Sequence, residues 1–180
     1  EIFDGINMQM LIYLFAITGS RKGKYSGFKP AGILYKPASF NQIRADRYDP
    51  DEKIDEQRKL TGKYSGLVLA DAEVIYAMDK TESGNIINAK VKENKDKSIS
   101  FKGSVATAVQ LGKIKNKVDE ILARMGNELH DGNIEILPYD EACKYCDYKD
   151  VCLKNKSEKV RPKALSKKDD VFEALEKVGE

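Results

Sequence analysis

Cys143, Cys146 and Cys152 are the chain's three thiols, and they fall together in Cys143-Lys-Tyr-Cys146-Asp-Tyr-Lys-Asp-Val-Cys152. A C-x2-C-x5-C spacing brings thiolates onto one metal ion, or onto one face of a cluster, when the backbone between them turns tightly. Structural zinc and cubane iron-sulfur clusters normally take four protein ligands. The fourth would then be His130, another residue of the chain, or a group outside it. Three is also an odd number, and a cluster of thiols near one end makes a poor disulfide framework. The competing reading is three reduced thiols serving as small hydrophobes. Their close grouping beside Tyr145 and Tyr148 favours a cluster-binding loop.

Other residues invite a chemical reading. Gln9 is a polar side chain in the otherwise apolar run INMQMLIYLFAIT, where burial without a task would be costly. Tyr13 lies four residues on, so a helix would put both on one face; alone it reads equally as a core aromatic. Asp79, followed later by Glu93-Asn94-Lys95, superficially supplies the paired carboxylates and lysine of a metal-dependent hydrolase. Glu93 sits in KVKENKDKS, however, a run of charge suited to a hairpin turn in water, so this set is rejected as a catalytic site. Arg21, Lys22 and Lys24, and the tail residues Lys154, Lys156, Lys159, Arg161 and Lys163, have the chemistry to touch phosphates, with Tyr25 or Tyr148 beside bases. Solvated surface accounts for most of them, and no DNA-binding residue is assigned.

The elements that must position these groups follow from apolar pattern and breakers. Residues 6 to 18 predict a helix, with Asp4 to cap it and Gly19 to stop it. AGILYK, bracketed by Pro30 and Pro37, predicts a strand. DPDEKIDEQRKLTG predicts a short exposed helix ending near Gly62. The apolar run GLVLA is followed by Asp71 as N-cap of a helix reaching Met78. IINAKVK and SISFKG, separated by ENKDK, predict a hairpin. Ser104 is expected to cap the longest helix, whose stripe of Ile114, Val118, Ile121, Leu122 and Met125 faces a core and which ends between Gly126 and Asp131. An Asp131-Gly132 turn leads to the cysteine loop, and DDVFEALEKV predicts a terminal helix. Helix followed by strand predicts a layered α/β core.

Composition narrows the class. With 180 residues, 41% hydrophobic and 33% charged, the chain has the balance of one folded domain rather than a disordered tail. No apolar run is long enough to span a bilayer and no secretory leader is recognisable, which predicts a cytoplasmic protein without a membrane partner. A net charge of +2 creates no global field for nucleic acid, so any such contact has to be local.

Taken together, Gln9 and Tyr13 in GINMQMLIYLFA and the spacing of Cys143, Cys146 and Cys152 resemble the Q-x-x-x-Y motif and iron-sulfur loop of RecB-type PD-(D/E)XK nucleases. GLVLADAEVIYAMD and ILPYDEACKYCDYKDVC resemble the AddB family of helicase-nuclease subunits, a resemblance that spans nearly the whole chain. It implies an α/β fold: a partial restriction-endonuclease-like core over residues 1–137, with helical additions and an insertion at about 38–104, then a cysteine loop and tail over 138–180. It implies that Cys143, Cys146 and Cys152 are three of the four ligands of a 4Fe-4S cluster, the fourth lying far upstream. In this family Mg²⁺ is held by two carboxylates and a backbone carbonyl, with a lysine positioning the attacking water. Gln9 and Tyr13 would support that site from the neighbouring helix.

The chain starts without Met at Glu1-Ile2-Phe3 and runs almost at once into its apolar helix, so it is expected to be a piece of a larger protein. The resemblance implies a parent that works with an AddA-like helicase-nuclease subunit, ATP and Mg²⁺ on double-strand DNA ends and single strands during recombinational repair. The piece alone is expected to be inert, since the metal-binding carboxylates and lysine would lie upstream, and to hold no cofactor of its own. Two rivals remain. One is a stand-alone iron-sulfur exonuclease of the CRISPR-associated, RecB-like type, against which the long 38–104 insertion counts; the other is a non-catalytic metal- or cluster-bearing interaction module.

Overall fold

A computed structural model of the chain describes residues 5–38, 42–43, 45–81, 84–136, 138, 142–152 and 173. The chain divides into two units. One comprises Met10–Gly112, the other Glu1–Gln9 with Lys113–Glu180.

The Met10–Gly112 unit is built around a three-stranded sheet in the order β1-β2-β5, where β1 is Gly32–Tyr35, β2 is Ser65–Leu69 and β5 is Val105–Ala106. β1 lies antiparallel to β2, with Gly32 opposite Val68 and Tyr35 opposite Ser65. β5 runs parallel to β2, with Val68 opposite Val105. The β1 and β2 backbones approach closely because two glycines allow it: a Cβ on Gly66, at φ +143°, would collide with the Ile33 carbonyl oxygen, and one on Gly32 with that of Leu67. The expected hairpin forms from β3 (Ala89–Glu93) and β4 (Ile99–Gly103), paired antiparallel around the ENKDK turn. In that turn the Asp96 carboxylate accepts from the Ser98 amide and hydroxyl at 3.0 and 2.6 Å.

An apolar cluster lies within this unit. Val68, Ile75, Ile87 and Ala89 are buried, and Leu34, Tyr64, Val74, Met78, Val91, Phe101 and Val105 pack on them. Ile75 comes from α3 (Ala72–Met78), which begins where expected: the Asp71 carboxylate accepts from the Glu73 and Val74 amides at 2.9 and 3.2 Å. By contrast α2 (Asp51–Thr61) buries no residue. It is held by acids in its first turn, Arg58 and Lys59 in its last, and a Lys53–Asp49 pair of 2.6 Å.

Two boundaries differ from expectation. The first helix, α1, runs Gln9–Gly19 rather than from residue 6, because Gly5 and Asn7 adopt positive φ of 76° and 56°, which no right-handed helix admits. Ser104 does not cap α4 (Ala108–His130). Its amide donates to Asn88 O and its carbonyl accepts from the Val68 amide, which pins it in the sheet and leaves room for β5. The cap is Thr107, three residues on. Its hydroxyl accepts from the Gln110 amide at 3.2 Å while its own amide donates to Gln110 Oε1 at 2.8 Å. This reciprocal pairing satisfies two donors of the first turn.

α4 ends as expected before Gly132, which takes φ +72°; the Asn133 amide reaches Glu128 O at 2.9 Å and the Gly132 amide reaches Leu129 O at 3.2 Å. Gly126 lies inside the helix. Ile114, Val118 and Ile121 are buried as the stripe requires, but Leu122 and Met125 are 38% and 36% exposed. Leu122 lies at the edge of the stripe, and Met125 lies towards the helix end, where its methyl meets Gly5. The expected terminal helix falls outside the described residues apart from Glu173, which is helical.

Candidate functional site

α1 carries the first two candidates. At about 100° per residue, Gln9 and Tyr13 point to one side of the helix, while the buried Leu11 and Phe15 point to the other. Gln9 is exposed and Tyr13 is 51% exposed, with Met10 and Ile17 open as well. The side of α1 that bears the motif therefore combines one amide, one phenol and apolar side chains, and it contains no acid. It can offer hydrogen bonds and ring contacts; it cannot bind a divalent cation by carboxylates.

Past Gly19 the chain turns through the expected basic segment. Tyr25 and Phe28 meet edge to face at 5.9 Å between ring centres, and Lys24 Nζ sits 5.6 Å from the centre of the Tyr25 ring. Arg21, Lys22 and Lys24 are all exposed.

The cysteine loop is described from 142 to 152. Ala142–Tyr145 forms a 3-10 turn and a second turn follows, in which the Cys152 amide donates to Tyr148 O at 2.9 Å and the Lys149 amide to Cys146 O at 3.3 Å. All three thiols are exposed and unbridged. Among the described residues no group of three or more His, Cys, Asp or Glu side chains is gathered to hold a metal ion. As arranged, the three thiols are not gathered with a fourth donor among the described residues, so these do not form a complete ligand set for a cluster. Tyr145 and Tyr148 are 83% and 73% exposed, with Lys144 Nζ 5.3 Å from the Tyr145 ring centre. The tail lysines and Arg161 lie outside the described residues.

The rejected carboxylate set proves to be two unrelated features. Glu93 ends β3 opposite Ile99, exposed beside the hairpin turn that holds Lys95. Asp79 is the one buried charged side chain among the described residues, 1% exposed. Its Oδ1 accepts from the Thr81 amide (3.1 Å) and hydroxyl (2.5 Å), and its Oδ2 from the Ile86 amide at 3.4 Å. Burial by itself raises the Asp79 pKa, but hydrogen bonds from Thr81, Ile86 and Ile87 outweigh it and hold the carboxyl below its ordinary value. Asp79 is thus an organiser of the loop from 80 to 87. Both oxygens are committed to that loop, which leaves it unsuited to a metal.

Sequence reasoning singled out nothing in a further feature of the same unit, an open cavity of about 540 Å³ lined by Arg58, Lys59, Gly62, Tyr64, Thr81, Asn85 and Ile86. Its walls come from segments some twenty residues apart, and no local pattern announces it.

Residues 1–153 match the model of the PD-(D/E)XK nuclease superfamily, and the chain belongs to that superfamily. The mixed α/β fold with its small sheets and packed helices accords with the expected class. Within the superfamily, the chain is similar to proteins named as ATP-dependent helicase/deoxyribonuclease subunits of the B type. It is 35% identical over 156 residues to that of Thermoanaerobacter sp. (strain X514), covering 84% of this chain and 14% of the relative. To those of Ruminiclostridium cellulolyticum and Bacillus mycoides it is 34% and 31% identical, over 88% and 100% of this chain. The chain spans only 14% to 16% of the length of these relatives. Among the described residues no helix is long and apolar enough to cross a membrane.

Proposed function

We propose that the chain is part of the nuclease domain of a helicase-nuclease subunit that processes double-strand DNA ends, in the cytoplasm, alongside an AddA-like partner that uses ATP. The observation that carries this reading is the side of α1 on which Gln9 and Tyr13 stand clear of the core, in a chain of the PD-(D/E)XK superfamily. In this reading Gln9 and Tyr13 border a Mg²⁺-dependent hydrolytic centre. Gln9 has an amide able to hold a phosphate oxygen or the attacking water by hydrogen bonds, and Tyr13 supports the same surface one turn along. The carboxylates that bind the metal, and the lysine that positions the water, come from other parts of the full-length subunit. Asp79 is committed to its loop and Glu93 stands exposed beside a hairpin turn, which supports that assignment, and in this reading the chain alone is inert.

Cys143, Cys146 and Cys152 are proposed as three ligands of a 4Fe-4S cluster whose fourth thiolate lies outside this chain. Their exposure suits a loop completed by another segment. The cluster's task would be to clamp this loop to a distant part of the subunit and aid binding of duplex ends, with no part in the hydrolytic step.

The test uses linear duplex DNA with ATP and Mg²⁺. Gln9→Ala in the full-length subunit, assembled with its partner, is expected to slow that subunit's strand cleavage by on the order of 10-fold to 100-fold while ATP hydrolysis persists. Unchanged cleavage would remove Gln9 from the site. Degradation of DNA by the isolated chain would show that a complete metal site lies within it and overturn the assignment of the carboxylates elsewhere.

A further inference from the structure

The cavity on the Met10–Gly112 unit has the attributes of a nucleotide subsite. Arg58 and Lys59 come from the last turn of α2, Tyr64 from the approach to β2, and Thr81, Asn85 and Ile86 from the loop before β3. Arg58 pairs with Asp55 at 3.3 Å, but both groups are more than 60% exposed, so the pair is weak and readily exchanged for a stronger anion. Lys59 has no acidic partner among the described residues. Two cations therefore stand at one rim, with Lys63 and Lys80 adjoining the lining residues Tyr64 and Thr81 in sequence. The lining also includes Tyr64 and Ile86, which can offer apolar surface to a base.

The far wall is held in place from within. Asp79 accepts from Thr81 and from Ile86, and the Tyr64 amide donates to Ile86 O at 2.8 Å, which ties Ile86 to the approach to β2. A buried carboxylate bonded to both Thr81 and Ile86 holds these two lining residues in place without a ligand, which lowers the ordering cost of binding there.

We propose that this cavity receives one nucleotide unit of single-stranded DNA, the phosphate at Arg58 and Lys59 and the base against Tyr64 and Ile86, with Thr81 and Asn85 facing its polar edge. The chemistry is that of sequence-tolerant strand binding: cations for the backbone and an aromatic or apolar face for the base. A volume of about 540 Å³ is enough to admit a nucleotide. The proposal rests on the reading of the chain as part of a DNA-processing subunit, and adds a strand contact remote in sequence from Gln9 and Tyr13.

The test is binding of a labelled oligothymidylate to the chain, followed by anisotropy across a salt series. Each phosphate contact in single-stranded DNA contributes about 0.7 to the slope of log affinity against log salt. Arg58→Gln with Lys59→Gln removes both partners of that one phosphate and should thus lower the slope by about 0.7, which is roughly a 5-fold loss of affinity at 0.1 M salt relative to 1 M. Lys92→Gln with Lys102→Gln removes the same charge from the exposed faces of the hairpin and serves as control, with circular dichroism to verify folding. Asn85→Ala should weaken binding and leave the slope unchanged. Equal losses in the two double variants would reduce the effect to net charge and overturn the subsite. So would a wild-type chain that fails to bind the oligonucleotide at low salt. Neither result touches the nuclease reading, which stands or falls on the Gln9 assay in the assembled complex.

Discussion

Replacing Asp79 by Asn isolates what a buried carboxylate contributes to this fold. The substitution keeps size and shape and leaves one oxygen to accept from Thr81, but it turns the other oxygen into an NH₂ that faces the Ile86 and Ile87 amides, donor against donor. Hydrogen bonds to a charged acceptor contribute about 1.5–3 kcal/mol each, and an orphaned buried donor costs on the order of 1–3 kcal/mol. The Ile86 contact is long at 3.4 Å, and the neutral amide escapes the desolvation that opposes the carboxylate, so the low end applies to each of the two bonds. The expected loss is roughly 3 kcal/mol, or about 6–12 °C in Tm for a chain of this length. Thermal unfolding followed by circular dichroism measures it. The sign of the pH dependence follows from the depressed pKa: the stabilisation is present above the unfolded-state value near about 4 and fades as pH falls through the folded one. The gap between wild type and Asp79→Asn should be constant above about pH 5 and narrow below about pH 4. A Tm loss under about 2 °C, or a gap that widens in acid, would refute the account of Asp79 as the fastening of the 80–87 loop.

Thr107→Ala removes the hydroxyl half of the α4 cap and should cost about 1 kcal/mol, or about 2–4 °C in Tm, while Ser104→Ala should leave the start of α4 intact. Gly66→Ala drives a methyl into the Ile33 carbonyl at a φ hostile to side chains, so a loss of roughly 3 kcal/mol or more is expected in urea unfolding; a loss below about 1 kcal/mol would mean β1 and β2 separate freely. In full-length protein purified without oxygen, Cys146→Ser should lower bound iron and the visible absorbance of a cluster. Retention of wild-type iron would exclude Cys146 as a ligand.

Punctuation and periodicity made much of this fold legible. Asp71 announced α3 because a carboxylate before an apolar helical run has one strong local use, and Gly132 announced the end of α4 for a comparable reason. The Pro-bracketed AGILYK and the ENKDK hairpin were readable for the same cause, since each depends on neighbours in sequence. Ser104 misled because its partners, Asn88 and Val68, are sixteen and thirty-six residues away, and their pull on its backbone outweighs its local suitability as a cap. Asn7 misled similarly: an apolar pattern does not encode a left-handed turn that shortens a helix. The cavity lay wholly beyond local reading, since Arg58 and Lys59 look like ordinary dipole-complementing residues until the 80–87 loop is folded against Tyr64.

The three functional features differ in what each requires from beyond its own residues. The residues lining the cavity all lie within Met10–Gly112, and Asp79 holds two of them, Thr81 and Ile86, so binding there should be measurable in the chain itself. The α1 motif has its polar groups but no acid on the same face of its helix, so its proposed chemistry depends on donors from elsewhere. The cysteine loop has donors of the right kind, gathered in sequence but not in space. A single preparation of the chain should therefore separate them, binding a strand yet neither cutting it nor holding iron in stoichiometric amount. Cleavage by that preparation would place the missing acids within these residues, and stoichiometric iron would place the fourth ligand there too.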